Sequence, residues 1–84
     1  MAEIETFVIQ PFHVHRKKLT PSPRSTAKTR VAAMNDGRRI ASSRPGAAVL
    51  RILADDETGE PSSIEVIERF GEIPEEFEES ITAL

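Results

Sequence analysis

Cysteine, tryptophan and tyrosine are absent from this 84-residue sequence, and the four phenylalanines are its only aromatic residues. Without cysteine the chain can form neither a disulfide framework, nor a thiol nucleophile, nor a cysteine-based zinc site. No apolar run approaches the roughly 20 residues that a membrane-spanning helix needs. Glu3 and Glu5 lie where a secretory signal would be basic. We therefore expect a cytoplasmic protein without a membrane segment.

The short chain limits both the number of domains and the size of the core. Domains usually contain roughly 100–150 residues, so we expect one. A chain this short buries only about 60% of the surface that it exposes when unfolded. With no disulfide to assist, its stability must come from a small apolar core or from association with a second copy.

The net charge of −3 hides a separation of charge along the sequence. Between residues 6 and 54, ten basic residues accompany a single acid, Asp36. From residue 55 to residue 84, eleven acids accompany a single base, Arg69. Asymmetry of this kind indicates electrostatic pairing, either within the chain or with a partner.

The first half of the chain contains one predicted strand and one predicted helix. Residues 6–14 are rich in β-formers, and Pro11 predicts a bend or a sheet edge there. The prolines of residues 15–23 predict a basic loop without regular structure. Ser25 or Thr26 is the predicted cap of a helix that runs to about residue 42. The predicted inner face of this helix contains Ala27, Val31, Met34, Gly37 and Ala41, with Lys28, Asn35, Arg38 and Arg39 opposite. An alternative is a turn at residues 35–37 that splits the helix in two.

The second half predicts a hairpin followed by a short acidic segment. Residues 47–54 form the most apolar stretch of the chain and predict a strand buried on most of both faces. The Gly-containing loop at residues 55–61 connects it to a second strand at residues 63–70. Pro74 favours a helical turn that begins a C-terminal helix, although this segment is equally compatible with a mobile tail.

These elements predict an α+β fold with βαββ order. Residues 1–72 form the predicted domain, a three-stranded sheet with one helix on one face after a right-handed crossover. Residues 73–84 form the predicted acidic C-terminal segment. Its apolar residues recur at helical spacing, and we interpret them as candidate contacts with the sheet or with a partner protein: Ile73, Phe77, Ile81 and Leu84.

Three stretches of the sequence resemble a group of small, uncharacterised proteobacterial proteins. They are FVIQPF at residues 7–12, DDETGEP at residues 55–61 and IERFGEIPEEF at residues 67–77. The resemblance covers most of the chain and implies the βαββ order. It carries no catalytic motif, ligand or known function.

The chemistry of the side chains does not favour catalysis. No serine lies in a Gly-x-Ser-x-Gly setting, and the four glycines are too scattered for a phosphate-binding loop. His13 and His15 could present two nitrogens on one face of a strand, but no cysteine or third histidine is available to complete a metal site. We therefore expect neither enzyme activity, nor a cofactor, nor a metal.

We consider three functions. The first is a non-catalytic protein that acts through protein contacts, as a homodimer. The second is a nucleic-acid-binding protein whose candidate phosphate contacts are Arg16, Lys17, Lys18, Lys28, Arg38 and Arg39. The third is an acidic mimic that inhibits a nucleic-acid-binding protein through its C-terminal charge.

Overall fold

The protein is an α+β domain with a five-stranded, mostly antiparallel sheet, as the computed structural model shows for residues 3–82. Within this range, the side chains at positions 78 and 80–82 are not described. The elements in chain order are β1 (Glu3–His15), β2 (Lys18–Pro21), β3 (Ser25–Ala27), α1 (Arg30–Ala41), β4 (Gly46–Asp55), β5 (Pro61–Gly71) and α2 (Glu75–Thr82). The predicted fold class is confirmed, but the predicted number of three strands is wrong.

The long strand β1 lies in the middle of the sheet. It pairs with β4 along one side, while β2 and β3 share its other side. All three neighbours are antiparallel to β1, so β3 and β4 are parallel to each other, and α1 connects them. The crossover predicted between the first strand and β4 is therefore wrong, because β2 and β3 reverse the chain before the helix begins.

The predicted basic loop at residues 15–23 contains a hairpin instead. His15 pairs with Lys18, so Arg16 and Lys17 are the two turn residues, with φ angles of 52° and 67°. Two consecutive left-handed residues are the mark of a type I′ turn, whose twist matches that of paired strands. The prolines do not prevent pairing, because Pro21 ends β2 and Pro23 lies in the gap before β3.

Pro11 lies inside the sheet and not at the predicted edge. It pairs with Ala47 of β4, and its carbonyl accepts a hydrogen bond from the Ser22 amide at 2.9 Å. The nitrogen and the carbonyl of one strand residue point to the same side. The missing N–H of Pro11 therefore points into the gap between β2 and β3, where no ladder bond is required.

Helix α1 begins later than predicted but is continuous through residues 35–37. Its cap is Thr29, whose hydroxyl accepts a hydrogen bond from the Ala32 amide at 3.1 Å. The predicted cap residues Ser25 and Thr26 belong to β3, and Lys28 precedes the helix. Because α1 extends without a break from Arg30 to Ala41, the alternative of a turn at residues 35–37 is wrong.

The predicted inner face of the helix is correct only in part. Ala33 and Gly37 are its buried residues, whereas Val31 is 70% exposed. A Cβ atom on Gly37 would lie 2.8 Å from Val49 Cγ2 and 2.9 Å from a ring carbon of Phe70. Small residues are buried here because the helix approaches the sheet too closely for large ones. The core between these two layers contains Phe7, Ile9, Ala33 and Val49.

The predicted hairpin of β4 and β5 and the predicted C-terminal helix are both present. The Asp55 carboxylate accepts hydrogen bonds from the amides of Glu57 and Thr58, and Gly59 adopts a φ of 76° at the loop. The register shifts between the pairs Val49–Glu68 and Leu50–Val66, so Ile67 is an extra residue in β5. Among the described residues, no helix is long and apolar enough to cross a membrane.

Candidate functional site

The two faces of the sheet have different partners. Phe7 and Ile9 of β1 belong to the core beneath α1. Because successive strand residues alternate, Val8 and Phe12 point to the other side, which we call the open face. On this face Phe77 of α2 packs edge-on against Phe12, with ring centroids 5.1 Å apart and an interplanar angle of 81°. Helix α2 is thus docked on the open face of its own chain.

The open face also carries an apolar patch at the end of the sheet distant from Phe12. Ile52 pairs with Thr6 on one side and with Ile64 on the other, and Ile4 pairs with Ala54. The patch is composed of Ile4, Ile52, Ile64 and Val66. Ile4 is 53% exposed, and the other three side chains are half-buried. None of these paired positions bears a charge, so the patch can be removed from water without desolvating an ion.

The two edges of the sheet carry features that discourage pairing with another chain. On one edge β2 and β3 have only four and three residues, and Lys18 and Pro21 lie in β2. On the other edge β5 contains the irregularity at Ile67 and the charged residues Glu65 and Glu68. Short strands, lysine, proline, bulges and charges all oppose edge-to-edge association. The open face is therefore more suitable for protein contact than any of these three strands.

The basic residues predicted to bind an anionic partner lie in three separate parts of the fold. Arg16 and Lys17 form the β1–β2 turn, and Lys18 begins β2. Lys28 is exposed before α1, and Arg38 and Arg39 are exposed in its last turn. Arg39 forms an ion pair with Asp36 at 3.2 Å. The fold therefore does not place all six residues on one element.

The β1–β2 turn of Arg16 and Lys17, which we call the basic turn, faces acidic residues of the C-terminal segment. A hollow of about 580 Å³ is lined by Lys17, Lys18 and Leu19 on one side and by Pro74 and three glutamates on the other, namely Glu72, Glu75 and Glu76. The two oppositely charged parts of the sequence thus meet here within one chain. Their proximity weakens the attraction of this end of the molecule for an external anion.

Part of the predicted C-terminal contact stripe is used within the chain. Ile73 is half-buried between β5 and α2, and Phe77 contacts Phe12. The side chain of Ile81 and the whole of Leu84 lie outside the described residues. The contact of Phe77 with Phe12 attaches α2 to the sheet.

A small polar cluster that the sequence did not indicate closes the gap between β2 and β3. The amide nitrogen of Gln10 donates to the carbonyl oxygens of Pro11, at 2.9 Å, and Ser22, at 2.6 Å. His13 Nδ1 lies 2.6 Å from Ser22 Oγ. The two contacts with Ser22 join residues that are nine and twelve positions apart, so no local motif could have revealed them. Within residues 3–82, no group of three potential metal ligands comes together.

Comparisons with known proteins give no family for this chain. No protein-family model, curated protein or solved structure matches it. The resemblance to small proteobacterial proteins therefore stays a prediction, and functional inference rests on the geometry described above.

Proposed function

We propose that this protein is a non-catalytic binding protein that forms a homodimer through the apolar patch on the open face. The observation that carries the proposal is the patch itself, a set of partly exposed aliphatic side chains that extends over β1, β4 and β5. Burial of apolar surface contributes about 25 cal/mol per Å². A two-fold axis would bring the same uncharged surface of each copy together, as a symmetric interface requires.

The charges around the patch predict how the dimer responds to salt. Glu3 pairs with Asp55 at this end of the sheet, and Asp56, Glu57 and Glu60 follow in the adjacent loop. Two copies that meet through the patch bring these acids into proximity. Salt screens repulsion between exposed charges, with a Debye length of about 10 Å at 0.1 M. We therefore expect association to strengthen as the salt concentration rises.

The substitution Ile52→Glu tests this proposal. It places a charge in the centre of the patch, which would have to be desolvated in the dimer. We expect the unaltered protein to be dimeric by sedimentation and light scattering at micromolar concentration, with a larger dimer fraction at 0.5 M than at 0.05 M salt. The variant is expected to be monomeric at both salt concentrations.

Val31→Glu is the matched control, because Val31 is an exposed aliphatic residue on α1, away from the open face. This variant should dimerise like the unaltered protein. A monomeric unaltered protein, or equal loss of the dimer in both variants, would contradict the proposal.

The basic turn supports a second candidate function, the binding of nucleic acid. Arg16 and Lys17 adopt left-handed conformations, although such conformations cost roughly 1–2 kcal/mol per residue for side chains other than glycine. Strain retained at an exposed position is a reason to look for a function. The acidic-mimic alternative has less support, because several of its glutamates face Lys17 and Lys18.

Lys17→Gly separates stability from binding at this turn. Glycine adopts the observed φ of 67° without strain, so we expect the variant to gain about 1 kcal/mol of unfolding free energy. If the turn binds phosphates, the same variant shows a weaker mobility shift of duplex DNA at low salt. Its higher stability excludes unfolding as the cause. A mobility shift that does not change would contradict the second candidate.

A further inference from the structure

The first residues of β1 extend beyond the strands on one side. β4 pairs with β1 from Glu3 onward, whereas β3 ends with the pair Phe7–Ala27. Among the described residues, no strand pairs with residues 3–6 on that outer side. The backbone N–H and C=O groups of successive strand residues point alternately to the two sides of the strand. The carbonyl of Pro11 points to the outer side, and the register with β4 is continuous, so the backbone groups of Glu3 and Glu5 point to the outer side as well. These amides and carbonyls form a short template for another strand.

A hollow lies beside this free edge. It has a volume of about 390 Å³ and is lined by Ile4, Glu5, Thr6, Thr26, Ala27 and Lys28. The Glu5 carboxylate accepts a hydrogen bond from the Arg51 guanidinium, which neutralises its charge. Lys28 is exposed, and no ion pair to it is found within residues 3–82. The uncompensated charge that lines the hollow is therefore positive.

We propose that residues 3–6 of β1 bind an extended segment of a partner protein, which adds to the sheet as an antiparallel strand in line with β3. The backbone of Glu3 and Glu5 provides the hydrogen bonds, as in other cases of strand addition. The partner residue that lies opposite Thr6 is acidic, because it is next to Lys28. The partner residue opposite Ile4 is apolar, because directly opposed side chains on one face contact each other.

A second copy of this chain is a poorer occupant of the same edge. A two-fold pairing centred on Ile4 would place Glu3 of one copy opposite Glu5 of the other. Like charges directly opposite each other destabilise a strand pair. The segment therefore comes from a different protein, and its site adjoins the proposed dimer surface, with which it shares Ile4.

The probe is the amidated peptide Glu-Thr-Val-Lys-Thr, which places glutamate beside Lys28, valine opposite Ile4 and lysine opposite Glu3, so that no residue reaches the position that Ala27 occupies opposite Phe7. The control peptide Lys-Thr-Val-Glu-Thr exchanges the two charges. Each is titrated into the full-length, isotope-labelled protein while amide chemical shifts and hydrogen exchange are recorded. We expect the shifts at residues 3–6 and at Lys28, with slower exchange at the Glu3 and Glu5 amides. The probe should bind up to about fivefold more tightly than the control peptide.

Three variants complete the test. Lys28→Glu should reverse the preference between the peptides, whereas Lys17→Glu, the same charge change at the other end of the sheet, should leave it unchanged. Ile64→Glu, a change in the part of the patch that lies on β5, should prevent dimerisation without affecting peptide binding, so failure of one proposal is distinguishable from failure of the other. Equal affinity of the two peptides, shifts elsewhere in the protein, or an unchanged preference in Lys28→Glu would each overturn the proposal.

Discussion

Gly46→Ala should destabilise the protein by about 3 kcal/mol, at the upper end of the usual cost of overpacking. A Cβ atom at this position would lie 1.9 Å from the carbonyl oxygen of Glu72 and 2.7 Å from its carbon. These are backbone atoms, so no side-chain rotation can remove the overlap. The Glu72 amide also donates to the Pro45 carbonyl at 3.0 Å, and a displacement of the chain would weaken this bond. Urea-induced unfolding measures the loss.

Gly59→Ala is the matched control for this prediction. No heavy atom lies within 4 Å of the position of its Cβ, but its φ of 76° is left-handed. The expected cost is therefore that of the backbone conformation alone, roughly 1 kcal/mol. Equal losses in the two variants would show that the close approach of Gly46 to Glu72 does not limit stability.

The β4–β5 hairpin could be predicted from sequence because its signals are local. An apolar run at residues 47–54, a Gly-containing loop and a second β-forming run follow each other directly along the chain. The observed strands, Gly46–Asp55 and Pro61–Gly71, extend these predicted ranges by only one or two residues at each end. Pro74 likewise indicated the start of α2, which begins at Glu75.

The strands β2 and β3 could not be predicted in the same way, because long-range pairing compensates for poor local signals. A turn formed by Arg16 and Lys17 lacks the Asn-Gly pattern that normally marks a type I′ turn. Pro11 and Pro23 normally indicate the end of regular structure, yet both are located at the gap between β2 and β3, where a donor is not needed. Only the sheet as a whole reveals that gap.

The helix face was predicted only in part, because periodicity favours large apolar residues. Val31 fits the helical spacing but points to solvent, whereas the small residue Ala33, which was not predicted, faces the sheet together with Gly37, which was. The distance between the two layers selects them, and a sequence pattern does not contain that distance. The same limitation applies to the apolar patch, since the sequence predicted two apolar sheet faces but not which residues of the open face stay partly exposed.

Phe12→Ala should remove about 3–5 kcal/mol of unfolding free energy. Phe12 is among the largest fully buried side chains of the protein, and its ring is the contact of Phe77 on the open face. A stability of roughly 0.05–0.15 kcal/mol per residue is typical, so this loss is a large share of the total for a chain of this size. Denaturant unfolding should show a much lower midpoint, and the α2 amides should exchange faster.

Phe77→Ala tests the α2 side of the same contact, because Phe77 is a half-buried residue of α2 whereas Phe12 belongs to the sheet. It should cost only about 1–2 kcal/mol, leave the core beneath α1 folded and release α2 from the sheet. Release of α2 exposes Phe12, which lies on the same face as the apolar patch. The apolar surface available to a second copy is therefore larger. Phe77→Ala should therefore dimerise at a lower protein concentration than the unaltered chain. If it unfolds as easily as Phe12→Ala, α2 belongs to the folding core; if its dimerisation does not change, the open face near Phe12 is not part of the interface.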